Sequence, residues 1–324
     1  MEVNGHPTIG NNPLSRCRQR ACELACMQFT VHRNVTPSHR ATSFVHFLFQ
    51  RVPSAMSTPP ASSAFTPSGS THMAIAEVDR IVVRGKDLCR DVIGQQSFTA
   101  YFLFLLTGET PSDNLVRVAD ATMVSLAEHG LVPSVQAARM TLAAAPDSVQ
   151  GAVAAGLLGC GPVILGASET AGHLLIEMLA QSAKQGQSLE DIARERLQAF
   201  RAAKQALPGF GHPVHKLGDP RATKLIDLAK QWGVAGEHVR ALQALASQVE
   251  GVYGRPFPMN VSAAIPAVLL DAGYPAGALK GIPLLARTAS LVAHILEEQT
   301  RPIGFKLASA AEHAMTYDGP PVAR

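Results

Sequence analysis

From Val78 onward, apolar residues recur at intervals of three and four, in segments a few turns long that glycine and proline punctuate. That rhythm lines one face of an α-helix, whereas a half-buried strand needs strict alternation. In SDNLVRVADATMVSLAEHG, Leu115, Val118, Ala119, Thr122, Met123, Leu126 and Ala127 keep the helical spacing, and the segment stops at Gly130. SLEDIARERLQAFRAAKQ opens on Ser188 with Asp191 three residues later, a relative of the capping box. DPRATKLIDLAKQWG sets Pro220 in a first turn, where its missing N–H is no loss, and Gly233 beyond the last. Alternation is confined to DRIVVRG, residues 79–85, a single short strand candidate. The expected class is all-α.

The pattern breaks near residue 73. Before it lie Pro, Ser, Thr and Asn with little periodicity, ending in MSTPPASSAFTPSGSTH, which has too little apolar surface to offset the entropy of ordering. Residues 1–72 are expected to be a disordered extension or the product of a start codon read upstream of Met56 or Met73. Their arginine-rich, acid-poor character also resembles a transit peptide, and Cys17, Cys22 and Cys26 lack a fourth ligand for a metal. The segment holds six arginines and two glutamates, a net +4 against +3 for the whole chain, so the remainder carries −1. A nearly neutral folded part has no electrostatic footprint for a phosphate backbone, and no nucleic-acid partner is expected. With 324 residues and 47% hydrophobic content the chain has ample material for a core. Five scattered cysteines suit a reducing, cytoplasmic setting without disulfides.

The uncharged stretch SVQGAVAAGLLGCGPVILGAS, residues 148–168, approaches the length of a bilayer span, but its glycines and Pro162 favour a buried core helix followed by a turn. No membrane association is expected. Its GCGPVI lacks a third glycine and a preceding strand, which removes a dinucleotide-binding reading.

PGFGHPVHKLGDPRA, residues 208–222, is poor material for either regular structure and concentrates two histidines, a lysine and an arginine on one loop. His212 and His215 have H-x-x-H metal-pair spacing, but no acidic or thiol ligand is placed to complete a site, and no metal is expected.

GFGHPVHKLGDPRA resembles the glycine-histidine loop of the citrate synthase superfamily, and the resemblance runs over most of residues 78–305. VVRGKDL is similar to the family's amino-terminal turn, YFLFLLTGETPS to its next helix and loop, EHG to its first substrate-histidine region, and ARTASLVAHILEEQTRPIGF to its carboxy-terminal arginine helix. AEHGLVPSVQAARM resembles citryl-CoA lyases and the citryl-CoA lyase module of ATP citrate lyase most closely. The resemblance implies a homodimer with a large domain from residues 73–166 and 274–310, a small domain from 167–273, an active-site cleft between them, and a tail at 311–324.

It also implies residue roles. Oxaloacetate and citrate carry two or three carboxylates, which bidentate arginines hold well. Arg221, Arg287 and Arg301 would supply them, Arg301 from the partner subunit, and His129 would bind the same dicarboxylate. His212 would hydrogen-bond the oxygen that alternates between ketone and tertiary alcohol, the catalytic role. Gly211 and Lys216 would meet coenzyme A, a thioester substrate rather than a bound cofactor. In isolation Arg287 and Arg301 also read as helix-end charges, and Lys216 as a solvated loop lysine.

Two departures stand against full activity. Family synthases use a histidine in a G-P-x-H-G-G-like turn and an aspartate in N-V-D; here GPVILGA puts Ile164 at the first position and MNVSAA puts Ser262 at the second. Isoleucine donates no hydrogen bond and serine cannot replace a carboxylate near neutrality. Loss of a positioned general acid or base costs about 10² to 10⁴ in rate. The activity that the resemblance implies is citryl-CoA cleavage, or its reverse with the thioester hydrolysed, as in citrate synthase. The alternative is an impaired member that senses dicarboxylate or acyl-CoA, or serves as an assembly subunit.

Overall fold

The computed structural model describes residues 69–163, 165–211, 216 and 218–320. Most of the 1–72 extension, with Cys17, Cys22 and Cys26, lies outside the described residues, as do Ile164, His212 and His215.

Three short strands open the described chain: β1 (Ala74–Ala76), β2 (Ile81–Val83) and β3 (Lys86–Asp87), an antiparallel sheet in that order. Only β2 carries enough β-branched residues to be read from sequence; its neighbours are too short to show alternation. Arg84 and Gly85 turn between β2 and β3 with φ of 50° and 81°, the left-handed pair that a two-residue hairpin requires. The Arg84 guanidinium donates to the Leu105 carbonyl at 2.8 and 3.2 Å, which docks the hairpin on the first helix.

Eleven α-helices follow among the described residues: α1 (Phe98–Thr107), α2 (Asp113–Ala127), α3 (Pro133–Ala144), α4 (Val149–Leu158), α5 (Ala167–Gln185), α6 (Leu189–Ala202), α7 (Pro220–Gln231), α8 (Glu237–Tyr253), α9 (Val261–Asp271), α10 (Gly281–Thr300) and α11 (Gly304–His313). The expected all-α class holds. Ser188 caps α6 by accepting from Asp191 N–H at 3.1 Å, and Pro220 occupies the first turn of α7, both as read. The stop read at Gly130 for the 112–130 segment falls three residues late, because α2 closes at Ala127 and Glu128 turns out in extended conformation.

Helices α5 to α9 pack on one another and on α2, around Leu175, Met178, Ile192, Leu242, Ile265 and Leu269. On the other side α3, α4 and α11 pack against α10 or each other, around Val135, Leu142, Ala152, Leu291 and Ile295. At Gly156 a Cβ would meet Leu291 at 2.7 Å and the Ser134 carbonyl at 2.8 Å, so only glycine lets α4 close on α3 and α10. The 148–168 stretch is a helix and turn as expected, but α4 is not fully buried: Val149 is half-exposed, and Leu158 stands in solvent, as does Val163 in the turn that follows. Residues 276–300 are long and apolar enough to cross a membrane by length and composition, yet Arg287 and Glu298 lie buried within them.

A candidate active site at the end of α2

Both ends of the glycine-histidine loop are tied to the start of α9. Gly211 N–H donates to the Pro258 carbonyl at 2.8 Å, Asn260 N–H to Gly209 O at 2.8 Å, and Asn260 Nδ2 to Gly211 O at 2.6 Å. Gly209 and Gly211 have φ of +80° and +75°; Cβ atoms there would meet Ala263 and the Phe257 ring at 2.4 and 2.5 Å. Two glycines are thus required by conformation and by space together.

At the loop's far end Asp219 caps α7 and is buried. It accepts from Arg221 N–H at 3.1 Å, Arg221 Nε at 3.0 Å, Arg221 Nη2 at 2.8 Å and Val261 N–H at 3.0 Å. Burial pushes this carboxyl up, but Arg221 and the Val261 N–H outweigh it and hold it below the ordinary aspartate value. Asp219 therefore aims Arg221 and joins α7 to α9. Its sequence signal was the aspartate directly before Pro220, a helix-capping signature.

Arg221 extends Nη1 to the Ser125 carbonyl at 3.4 Å, and Arg287 places Nη2 3.3 Å from the Leu126 carbonyl. Two guanidinium groups from α7 and α10 thus reach adjacent carbonyls in the last turn of α2, where the helix dipole is negative. Half-buried His129 follows two residues after the helix ends at Ala127. Arg287 is only 3% exposed, and its Nε and Nη1 have no hydrogen-bond partner. Burial pushes the guanidinium down from its ordinary value; nearby Cys160 and Glu128 oppose this, while Arg221 adds to it. A buried cation with two unspent donors beside a second cation is built to receive an anion.

The remaining expected residues fall elsewhere. Ser262 lies half-buried in the first turn of α9, its N–H given to Asn260 Oδ1 at 2.9 Å. Lys216 is exposed in a turn. The Arg301 side chain is 81% exposed on the corner between α10 and α11, and is not brought to the Arg221–Arg287 pair within this chain. Its carbonyl is held by Arg139 Nη2 at 2.9 Å, and Arg139 in turn meets buried Glu298 at 2.6 Å. Sequence reading missed this pair, Asp219, and the Glu128–Ser290–His294 cluster beside His129. A groove of about 590 Å³ between α6 and α8 contains none of these side chains. Convergent charge rather than volume marks the site.

Residues 19–304 match the family profile described as "Citrate synthase, C-terminal domain". The chain is 29% identical over 210 residues to citrate/2-methylcitrate synthase of Bacillus subtilis, covering 62% of this chain and 52% of that protein. It is 31% identical over 209 residues to 2-methylcitrate synthase of Mycobacterium tuberculosis, covering 61% and 49%. Among solved structures it is similar to citryl-CoA lyase from Hydrogenobacter thermophilus, with 29% identity, a TM-score of 0.69, and coverage of 80% of this chain and 97% of that one. The chain belongs to the citrate synthase family. It spans about half the length of the curated synthases it matches and nearly the full length of the lyase structure.

Proposed function

We propose that this protein cleaves citryl-CoA to acetyl-CoA and oxaloacetate, or catalyses the reverse condensation with the thioester hydrolysed, the synthase direction. The observation that carries this reading is Arg287: a buried guanidinium with Nε and Nη1 unpartnered, beside Arg221 and against the Leu126 carbonyl, three residues before His129. Arg221, Arg287 and His129 hold the substrate carboxylates. Arg301 joins them from a second subunit of a homodimer, and Gly211 and Lys216 meet coenzyme A. An apolar strip on α10, including exposed Val292 and Leu296, supports the dimer. In cleavage His212 takes the tertiary hydroxyl proton, the carbon–carbon bond breaks as the ketone forms, and the electron pair passes to the thioester enolate. Water or a group near Ser262 protonates that enolate. The cleft lies between a large domain of residues 73–166 and 274–310 and a small domain of 167–273, whose closure excludes water.

A second reading is favoured by one observation. The first turn of α9 holds no acidic residue, and Asp219, whose carboxylate accepts from Val261 N–H, is already committed to Arg221. A protein that keeps the clamp without the acid serves as a dicarboxylate sensor or assembly subunit. Calorimetric titration with citrate, oxaloacetate and coenzyme A, followed by turnover of citryl-CoA, separates the two. Binding with turnover supports the lyase, binding alone the sensor, and no dicarboxylate binding refutes both.

A further inference from the structure

Next to the arginine pair lies a cluster that the proposed chemistry leaves unused. Glu128, the residue after α2, accepts from Ser290 Oγ at 2.8 Å, from His294 Nε2 at 2.9 Å and from Gly130 N–H at 2.5 Å. Burial pushes the Glu128 carboxyl up, but these donors outweigh it and hold it below the ordinary value. Because an ionised carboxylate only accepts, His294 carries its proton on Nε2, an assignment made from the acceptor. The His294 side chain is largely buried, and its Nδ1 has no hydrogen-bond partner.

Arg287, Ser290 and His294 stand three and four residues apart and so share one face of α10. That face grips the end of α2 at successive points: the Leu126 carbonyl through Arg287, and the Glu128 carboxylate through Ser290 and His294. His129 sits between the two residues so fixed, Glu128 and Gly130, and Gly130 has a φ of +71°. A helix end that needed only termination would be served by a left-handed glycine, as Gly108 closes α1 and Gly186 closes α5. Here the chain leaves α2 in extended conformation, with φ of −122° at Glu128, and side chains of α10 set its path.

We propose that Glu128, Ser290 and His294 are positioning residues that lock residues 128–130 to the Arg287 face of α10, so that His129 and Arg287 meet one carboxylate-bearing substrate. The ligand rests on the function proposed above; the placement of His129 does not. Glutamine at 294 can present an amide N–H where Nε2 stands, whereas asparagine falls short of it.

The test reads His129 in the ligand-free protein by imidazole NMR, with its signals assigned by their loss in His129→Gln, and reads citrate affinity by calorimetry. His294→Asn and Ser290→Ala are each expected to move the His129 signals and to weaken citrate binding by about fivefold or more, as loss of a bond to a charged group predicts. His294→Gln is expected to restore both toward wild type. Unmoved His129 signals in His294→Asn and Ser290→Ala would overturn the inference, and so would equal impairment by asparagine and glutamine. If His294→Asn does not fold, Ser290→Ala, which removes one hydroxyl, decides through the same signals. If wild type binds no dicarboxylate, the proposed function falls while the NMR pattern still decides the positioning.

Discussion

Replacing Arg287 with methionine should stabilise the ligand-free protein while removing its affinity for citrate. Arg287 is 3% exposed and makes one weak bond, Nη2 to the Leu126 carbonyl at 3.3 Å, with Nε and Nη1 unpaired. Burying an ion costs several kcal/mol even after relaxation, and a hydrophobic residue of similar volume in place of a buried charge is often better by about 1–4 kcal/mol. Glu128 and Cys160 soften the penalty and Arg221 deepens it, consistent with the lowered pKa of Arg287. Methionine keeps most of the stem and so opens little cavity; the bond it forfeits is worth about 1 kcal/mol. The net expectation is a gain of up to about 3 kcal/mol.

For a unit the size of residues 68–324, each kcal/mol moves the melting temperature by about 2–4 °C. Thermal melting with and without citrate measures both halves of the prediction. Wild type should melt higher with citrate, because a ligand that binds only the folded state stabilises it. Arg287→Met should melt higher without citrate and gain nothing from it, since each lost charge-assisted bond weakens binding by about 1.5–3 kcal/mol, or tenfold and more. A variant that melts lower than wild type and still responds to citrate would refute this reasoning and make Arg287 a structural bolt between α10 and α2.

Glu298→Ala should cost about 3 kcal/mol in urea unfolding, because it leaves Arg139 with only half-exposed Glu297 as a charge partner and frees the N–H groups of Ile303 and Gly304. Asp219 has a depressed folded pKa, so its contribution is present above its unfolded value of about 3.9 and is lost as pH falls through the folded value. Asp219→Asn should therefore be less stable at neutrality and lose less on acidification, as urea midpoints across that range would show. Leu296→Asp, on an exposed α10 position, should leave folding intact and convert the proposed dimer to monomer in sedimentation. Ser262→Asp should raise citryl-CoA cleavage, or exchange of acetyl-CoA methyl protons, by about tenfold or more, since a positioned acid or base is worth about 10² to 10⁴. A wild-type enzyme slowed by that change would mean that the pocket runs different chemistry.

Helix identity was legible because burial of one face imposes a period, and caps announce themselves: Ser188 and Pro220 sit where the spacing put them. The flanking strands were not legible, since β1 and β3 hold three and two residues, too few to alternate. The arginine residues of the proposed clamp could be named from family motifs, but their state could not. Nothing in ARTASLVAHILEEQ says that Arg287 ends with two bare donors, or that Ser290 and His294 grip Glu128; those depend on α2 stopping where α10 crosses it. Exposure of α4 was misjudged for the related reason that an apolar sequence predicts burial against something without saying that the partner belongs to the same chain.

The serine at 262 leaves the fold intact because backbone groups at the start of α9 are served by other residues. Ser262 N–H goes to Asn260 Oδ1 and Val261 N–H to Asp219, so two donors of the first turn are satisfied without an acidic side chain there. An aspartate at this position would be favoured by the helix dipole by about 0.3–1 kcal/mol but is not needed to start the helix. Its absence therefore bears on chemistry rather than stability. Asp219 does not substitute for it, since Arg221 and Val261 occupy both carboxylate oxygens and hold it ionised, and releasing it for proton transfer would unfasten Arg221 from its place beside Arg287.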